Sequence, residues 1–157
     1  MSRPVYLIIY HSPIFAAHWA LWVPSIEKEE TERKRGKIIN VQGSPSEGFI
    51  HEFERNHDIS TETRNHSLKL LCEVDKGMIL ENDDEYSIDD VPRDQLEELA
   101  RGVNAPGPSL RPAGSTSKTR IKIENCQTWL TRFVSLMVEK GVFPEEALVE
   151  MERAPRN

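Results

Sequence analysis

One cysteine of this chain stands where proteins often place a nucleophile. Cys126 directly follows Asn125, a residue typical of a helix N-cap, and it opens the clearest helical pattern in the sequence. Backbone N–H groups and the helix dipole at such a position favour the thiolate, which is the nucleophilic form of cysteine. The other cysteine, Cys72, shares a strand face with Leu68 and Leu70, so we expect it to pack in the core.

A cysteine nucleophile needs a base, and His18 is the best-placed histidine of the chain. It lies among aromatic and apolar residues in the strand-like segment HWALWV. Asn40 lies in the otherwise apolar segment KIINVQ, where its amide costs free energy unless it finds a hydrogen-bond partner. Cysteine, histidine and asparagine form the papain-type catalytic set, which is defined by geometry and not by chain order. We therefore predict Cys126 as nucleophile, His18 as base and Asn40 as the residue that orients the imidazole.

Other residues are candidates for contacts with a substrate. The Cys126 backbone N–H is expected to form part of an oxyanion hole, and the second donor is left open among Tyr10, His11 and Gln127. Trp22 is a candidate for lining the cleft. Each residue also has a simpler structural explanation, because cysteine is often a small buried hydrophobe and a lone histidine is often a core residue.

A metal centre has little support in the sequence. His11, His18 and Cys126 are the residues from which a zinc site could be assembled, but no close pair such as CxxC or HxxxH accompanies them. We therefore predict neither a metal nor another cofactor.

The elements that must position these residues follow from local patterns. Short apolar or alternating segments predict strands at 5–10, 17–23, 37–42, 50–54 and 68–74, and helical patterns follow at 92–101, 125–140 and 144–152. The charged stretch 27–35 predicts a hairpin tip, and the Pro-, Gly- and Ser-rich stretch 103–118 predicts a long irregular loop that could act as a lid. The expected fold is one α+β domain over 1–157, with an antiparallel sheet of about five strands packed with helices.

Composition limits the partners. The 157 residues carry 26 acidic and 20 basic side chains, a net charge of −6, which argues against a nucleic-acid binder. No apolar run approaches the ~18 residues of a membrane span, and the apolar stretch 5–10 is too short for a secretory signal. We expect a cytoplasmic protein with free thiols and a small-molecule or peptide acyl substrate, and the oligomeric state stays open.

Three segments resemble a known group of enzymes. Residues 18–23 (HWALWV) resemble the first histidine strand of the lecithin:retinol acyltransferase-like group, and residues 125–127 (NCQ) resemble its Asn-Cys motif at a helix start. The order histidine, second polar residue, cysteine is that of the circularly permuted, NlpC-type papain-like fold. Small fungal proteins with a Gly-x-x-Ile-(His/Asn)-Val-x-Gly segment are also similar, and here that segment is GKIINVQG at 36–43.

The resemblance implies a permuted papain-like fold and a cysteine hydrolase or acyltransferase that works through a Cys126 acyl-enzyme. The group usually has a second histidine where this chain has Asn40, which can hold a histidine tautomer but cannot titrate. Membrane-bound relatives carry a hydrophobic C-terminal anchor, and the polar stretch 150–157 predicts none here. The alternatives are a non-catalytic binding module or pseudoenzyme on the same fold, and a structural partner of a larger assembly.

Overall fold

β-branched and aromatic residues build most of the strands, as their pattern predicts. The computed structural model describes residues 1–25, 35–81, 85–109 and 123–157. The strands are β1 (Ser2–Tyr10), β2 (His18–Pro24), β3 (Arg35–Ser44), β4 (Gly48–Asp58), β5 (His66–Asp75) and β6 (Ser87–Asp89). They form one antiparallel sheet in the order β5-β1-β2-β3-β4-β6. The predicted α+β class and antiparallel sheet are confirmed.

The sheet differs from the sequence prediction at one edge. β6 has only three residues, too few to show a periodicity, and it pairs with residues 53–55 of β4. Among the described residues the sheet therefore has six strands, where about five were predicted. β4 also continues four residues beyond its predicted end, because His51, Phe53 and Arg55 keep alternating into the interior. The charge of Arg55 ended the predicted strand too early.

Three helices follow the sheet in the described part of the chain: α1 (Gln95–Arg101), α2 (Cys126–Glu139) and α3 (Glu146–Glu152). Asn125 caps α2 as predicted, since its side chain accepts the backbone N–H groups of Gln127 and Thr128. Gly141 ends the helix at a positive φ of 76°, a backbone conformation that favours glycine. None of these helices has the length and apolar character that crossing a bilayer requires.

The two faces of the sheet bury different clusters. We call the face under α2 and α3 the helix face; it holds Trp19, Leu21 and Ile39, together with Cys72, which packs in the core as predicted. The predicted shared face with Leu68 and Leu70 is wrong, because the pairing of β5 with β1 shifts register next to Cys72 and leaves both leucines exposed. We call the other the opposite face; it holds Ile8, Tyr10, Ala20, Trp22 and Ile38. Residues 59–65 connect β4 to β5 beside this opposite face, where Arg64 lies 3.9 Å from the centre of the Tyr10 ring.

A buried group of charges holds α1 against the sheet. Glu97 is fully buried and accepts hydrogen bonds from Arg55 and, at 2.7 Å, from Lys37 Nζ. Asp94, the N-cap of α1, accepts a second bond from Lys37 Nζ at 2.6 Å. Buried charges are tolerated only when they are paired and hydrogen-bonded, as these are.

Replacing Glu97 with alanine is expected to lower the free energy of unfolding by about 3–5 kcal/mol, because it removes the buried carboxylate that Lys37 and Arg55 share and leaves each cation with one carboxylate partner, Asp94 or Asp89. Urea unfolding followed by circular dichroism measures the change. Glu98→Ala is the matched control, since Glu98 is exposed on the same helix. Equal losses in both variants would contradict the structural role of the buried network.

Two predicted loops lie mainly outside the described residues. Of the predicted hairpin tip 27–35, the structure describes only Arg35, which is the first residue of β3. Of the predicted lid 103–118, residues 103–109 are described and are irregular, in agreement with the prediction of a loop. The lid role itself stays a prediction.

Candidate active site

His18 and Asn40 meet in the relation that the sequence predicts. His18 is the first residue of β2 and Asn40 lies in β3, and both side chains lie on the opposite face of the sheet. The His18 Nε2–H donates to Asn40 Oδ1 at 3.2 Å, which assigns the proton to Nε2 and leaves Nδ1 as the basic nitrogen. Asn40 Nδ2 in turn donates to the Glu52 carbonyl oxygen at 3.3 Å, so the Asn40 amide is held from both ends.

Burial sets the charge of this histidine. It lowers the pKa of His18 to about 4, although the hydrogen bond to Asn40 partly opposes the shift. The ring also stacks on Tyr10, with the two ring centres 5.7 Å apart. His18 is therefore neutral at pH 7, the form that accepts a proton.

Cys126 lies at the start of α2, against the backbone on either side of His18. Its Sγ lies 3.8 Å from the Ala17 carbonyl oxygen, and the Trp19 backbone N–H donates to the sulfur. The thiol is buried in the cluster on the helix face. Cys126 therefore meets the backbone of residues 17–19 from the helix face, whereas the side chains of His18 and Asn40 lie on the opposite face. The structure brings His18 and Asn40 together but does not bring the Cys126 thiol to them.

The thiol and the imidazole are not hydrogen-bonded to each other. In the described part of the chain, the Cys126 Sγ contacts backbone groups, while the His18 ring contacts Asn40 and Tyr10. Burial raises the pKa of Cys126, and the backbone N–H groups of Trp19 and Gln127 only partly oppose it. The expectation of a thiolate at this helix start is therefore wrong for this conformation, because burial outweighs the favourable backbone groups.

Gln127 lies directly beside the thiol. Its Nε2 donates to two main-chain oxygens, Ala17 O and Arg156 O, each at 2.9 Å. Residues 155–157 pass next to this point, and the Ala17 N–H donates to the same Arg156 oxygen at 2.7 Å. Among the three candidates for a second oxyanion donor, Gln127 is the one that follows Cys126 in the chain and reaches the backbone around its thiol.

The other predicted contact residues have different surroundings. Tyr10 is buried on the opposite face, which raises its pKa. Trp22 is 2% exposed and packs edge-on against His57, so the structure gives it a packing role. His11 accepts from Ser67 Oγ at 2.6 Å through Nε2 and donates to Asn157 O at 2.9 Å through Nδ1.

The zinc alternative does not form. Both ring nitrogens of His11 are bonded to Ser67 and Asn157, while His18 and Cys126 have the separate contacts described above. Across residues 1–25, 35–81, 85–109 and 123–157, no three His, Cys, Asp or Glu side chains group as metal ligands.

Some residues at the site carry no strong signal in the sequence. The Gln42 amide lies 3.5 Å from His18 Nε2, and its position two residues after Asn40 on the same strand could have indicated a shared face. Ala17 contributes only backbone groups, and Arg156 lies in a polar stretch without a pattern. Tertiary contacts alone reveal these two.

A cleft lies away from these residues. It encloses about 440 Å³ between β4 and the segment that follows α1, with His51, Arg101 and Asn104 among its lining residues. His51 is held there by the Val103 carbonyl oxygen at 2.7 Å. None of the predicted site residues lines this cleft.

Comparison with known proteins identifies a family for this chain. No curated protein and no solved structure matches this chain. One protein-family model matches residues 5–144, a range that includes His18, Asn40 and Cys126 and excludes residues 155–157. The chain therefore belongs to a family of unknown function, DUF6540.

Proposed function

We propose that this chain is a cysteine-dependent hydrolase or acyltransferase of permuted papain-like fold, acting on an ester, thioester or amide. The observation that carries the proposal is the 3.2 Å hydrogen bond from His18 Nε2 to Asn40 Oδ1. It forms at the residue that lies between Ala17 and Trp19, whose backbone groups contact the Cys126 thiol. The base and the residue that orients it lie on the opposite face of β2, and the nucleophile contacts the same stretch of backbone from the helix face.

The protonation states support a general-base mechanism. Burial lowers the pKa of His18 to about 4 and raises that of Cys126, so a neutral imidazole and a neutral thiol are the resting forms at pH 7. His18 Nδ1 has no hydrogen-bond partner among the described residues and is free to accept a proton. Because the thiol lies on the helix face and the imidazole on the opposite face, the proposed proton transfer requires the start of β2 to rearrange so that His18 Nδ1 reaches Cys126 Sγ.

In the proposed reaction, the thiol proton passes to His18 Nδ1 while Cys126 Sγ bonds to the substrate carbonyl carbon. The bond from that carbon to the leaving oxygen, sulfur or nitrogen then breaks, and the leaving group takes the proton from His18. The acyl group remains on Cys126 as a thioester. Water or another acceptor attacks the thioester with His18 again as base, releasing the acyl product and the free thiol.

An acyl adduct on Cys126 is the expected result when the protein is incubated with p-nitrophenyl acetate and quenched in acid. Intact-mass and peptide mass spectrometry would find one added acetyl group on the peptide that contains Cys126. Cys72→Ala is the matched control and should acylate normally, because burial raises the pKa of Cys72 to about 12 and keeps it inert. Labelling that persists in Cys126→Ala would contradict the proposal.

One observation favours a second candidate, a non-catalytic binding module on the same fold. The Cys126 thiol is buried, its pKa is raised, and its contacts are backbone groups and not the His18 ring. The absence of any acyl adduct with esters and thioesters of several chain lengths would favour this candidate.

A further inference from the structure

Residues 155–157 lie along the start of β2 and are held by their main-chain oxygens. Four donors point at these oxygens, three of them from side chains. Trp19 Nε1 donates to Pro155 O at 3.1 Å, and His11 Nδ1 donates to Asn157 O at 2.9 Å. Arg156 O accepts two bonds, from Ala17 N at 2.7 Å and from Gln127 Nε2 at 2.9 Å. Such a pattern recognises an extended backbone through its oxygens.

Two of these donors converge on one carbonyl oxygen. The Ala17 N–H and the Gln127 Nε2–H both bond to Arg156 O. Both also adjoin the thiol, because Gln127 follows Cys126 in the chain and the Ala17 oxygen lies 3.8 Å from Sγ. Two donors on one carbonyl oxygen beside a nucleophile are the arrangement that stabilises the oxyanion in acyl transfer.

The side chain of Arg156 adds a second recognition element. Its guanidinium lies 4.6 Å from the centre of the Trp19 ring, and its Nη1 is 3.4 Å from Gln127 Oε1. Arginine stacks on aromatic rings through its planar, charged group. The segment is thus held through its backbone and through one arginine.

We propose that Ala17, Trp19 and Gln127 form a binding site for an extended peptide that contains arginine, and that residues 155–157 fill this site in cis. The assignment of the peptide as a substrate rests on the function proposed above, whereas its binding does not. Within the ester, thioester and amide class, the site then selects a peptide amide. The bound segment occupies the place of a substrate carbonyl, and a peptide in trans has to displace it.

The test uses the full chain with Arg156→Ala, and Arg153→Ala as the matched control. Arg153 is an exposed arginine nearby, and its ion pair with Glu150 has an N–O distance of 3.8 Å. Iodoacetamide alkylation of Cys126, measured peptide by peptide by mass spectrometry, is expected to become about tenfold faster in Arg156→Ala and to stay unchanged in Arg153→Ala. Gln127→Glu, which removes the amide donor at nearly constant size, is expected to act like Arg156→Ala.

A synthetic peptide with the sequence of residues 151–157 provides the second arm. Added to Arg156→Ala at saturating concentration, it is expected to slow alkylation back to the wild-type rate, and the same peptide with alanine in place of its second arginine is not. Equal alkylation rates in Arg156→Ala and Arg153→Ala, with no protection by the peptide, would overturn the proposal.

The outcome for the peptide is separable from the outcome for catalysis. Fluorescence anisotropy of the labelled peptide measures its binding to the double variant Cys126→Ser, Arg156→Ala, which cannot form a thioester. Binding without any acyl adduct on Cys126 in the wild type would leave the peptide site in place and reject the enzyme. An acyl adduct on Cys126 without peptide binding would support the enzyme and reject the peptide site.

Discussion

Replacing Cys126 with alanine is expected to reduce acyl-transfer activity by a factor of about 10⁴ or more, because the variant has no atom that can carry the acyl group. His18→Ala is expected to cause a loss of similar size, since the thiol is protonated at rest and needs a base to lose its proton. The measurement is the steady-state rate on the best substrate found by adduct formation, with active-site concentration fixed by mass spectrometry.

The double variant provides a sharper test of the same mechanism. Residues that act as one unit are strongly non-additive, so Cys126→Ala with His18→Ala should be no slower than either single variant. Cys72→Ala is the control for losing a buried thiol, and it should retain activity within about threefold. Full activity in either single variant would refute the proposed roles of both residues.

Acidification is expected to destabilise the protein through His18. Burial lowers its pKa to about 4 in the folded state from the model-peptide value of 6.5, so the unfolded chain takes up a proton first as the pH falls. The stabilising contribution is therefore complete above pH 6.5 and is lost between pH 6.5 and 4. The shift corresponds to about 3 kcal/mol in total, of which about 2 kcal/mol is lost between pH 7 and 5.

Urea unfolding of the wild type and of His18→Gln at pH 7 and at pH 5 measures this loss. Glutamine does not titrate, so the difference in unfolding free energy between the two proteins should shrink by about 2 kcal/mol at the lower pH. The acid limb of kcat/KM should likewise lie near pH 4 and not near 6.5, because neutral His18 is the proposed base. A difference that stays constant with pH would show that His18 titrates normally.

Local patterns predicted most of the elements. α2 was recognisable because Asn125 is a capping residue and because Trp129, Phe133 and Met137 recur at helical spacing, and the structure buries all three on one stripe. β6 escaped prediction because three residues carry no period, and β4 was cut short because the paired charge of Arg55 resembles a surface charge in the sequence. The buried ion pair of Arg55 depends on Glu97, which lies 42 positions further along the chain.

At the candidate site, too, some features could be predicted from the sequence and others could not. Because Asn40 is a polar residue in an apolar strand, the sequence indicated that its side chain needs a hydrogen-bond partner. His18 was the predicted partner, and the two side chains are hydrogen-bonded in the structure. The protonation of Cys126 could not be predicted, because the helix start favours a thiolate while burial disfavours it, and the extent of burial is a tertiary property.

The sequence by itself determined the α+β class, the cap of α2, and the residue types of a cysteine, histidine and asparagine set, because caps and periodicities depend on neighbours in the chain. Only the tertiary structure decided that the thiol faces the backbone of residues 17–19 and that Gln127 reaches Arg156. These contacts join residues 109 and 29 positions apart in the chain. Their geometry depends on how α2 and residues 155–157 pack beside β2, which no local pattern encodes.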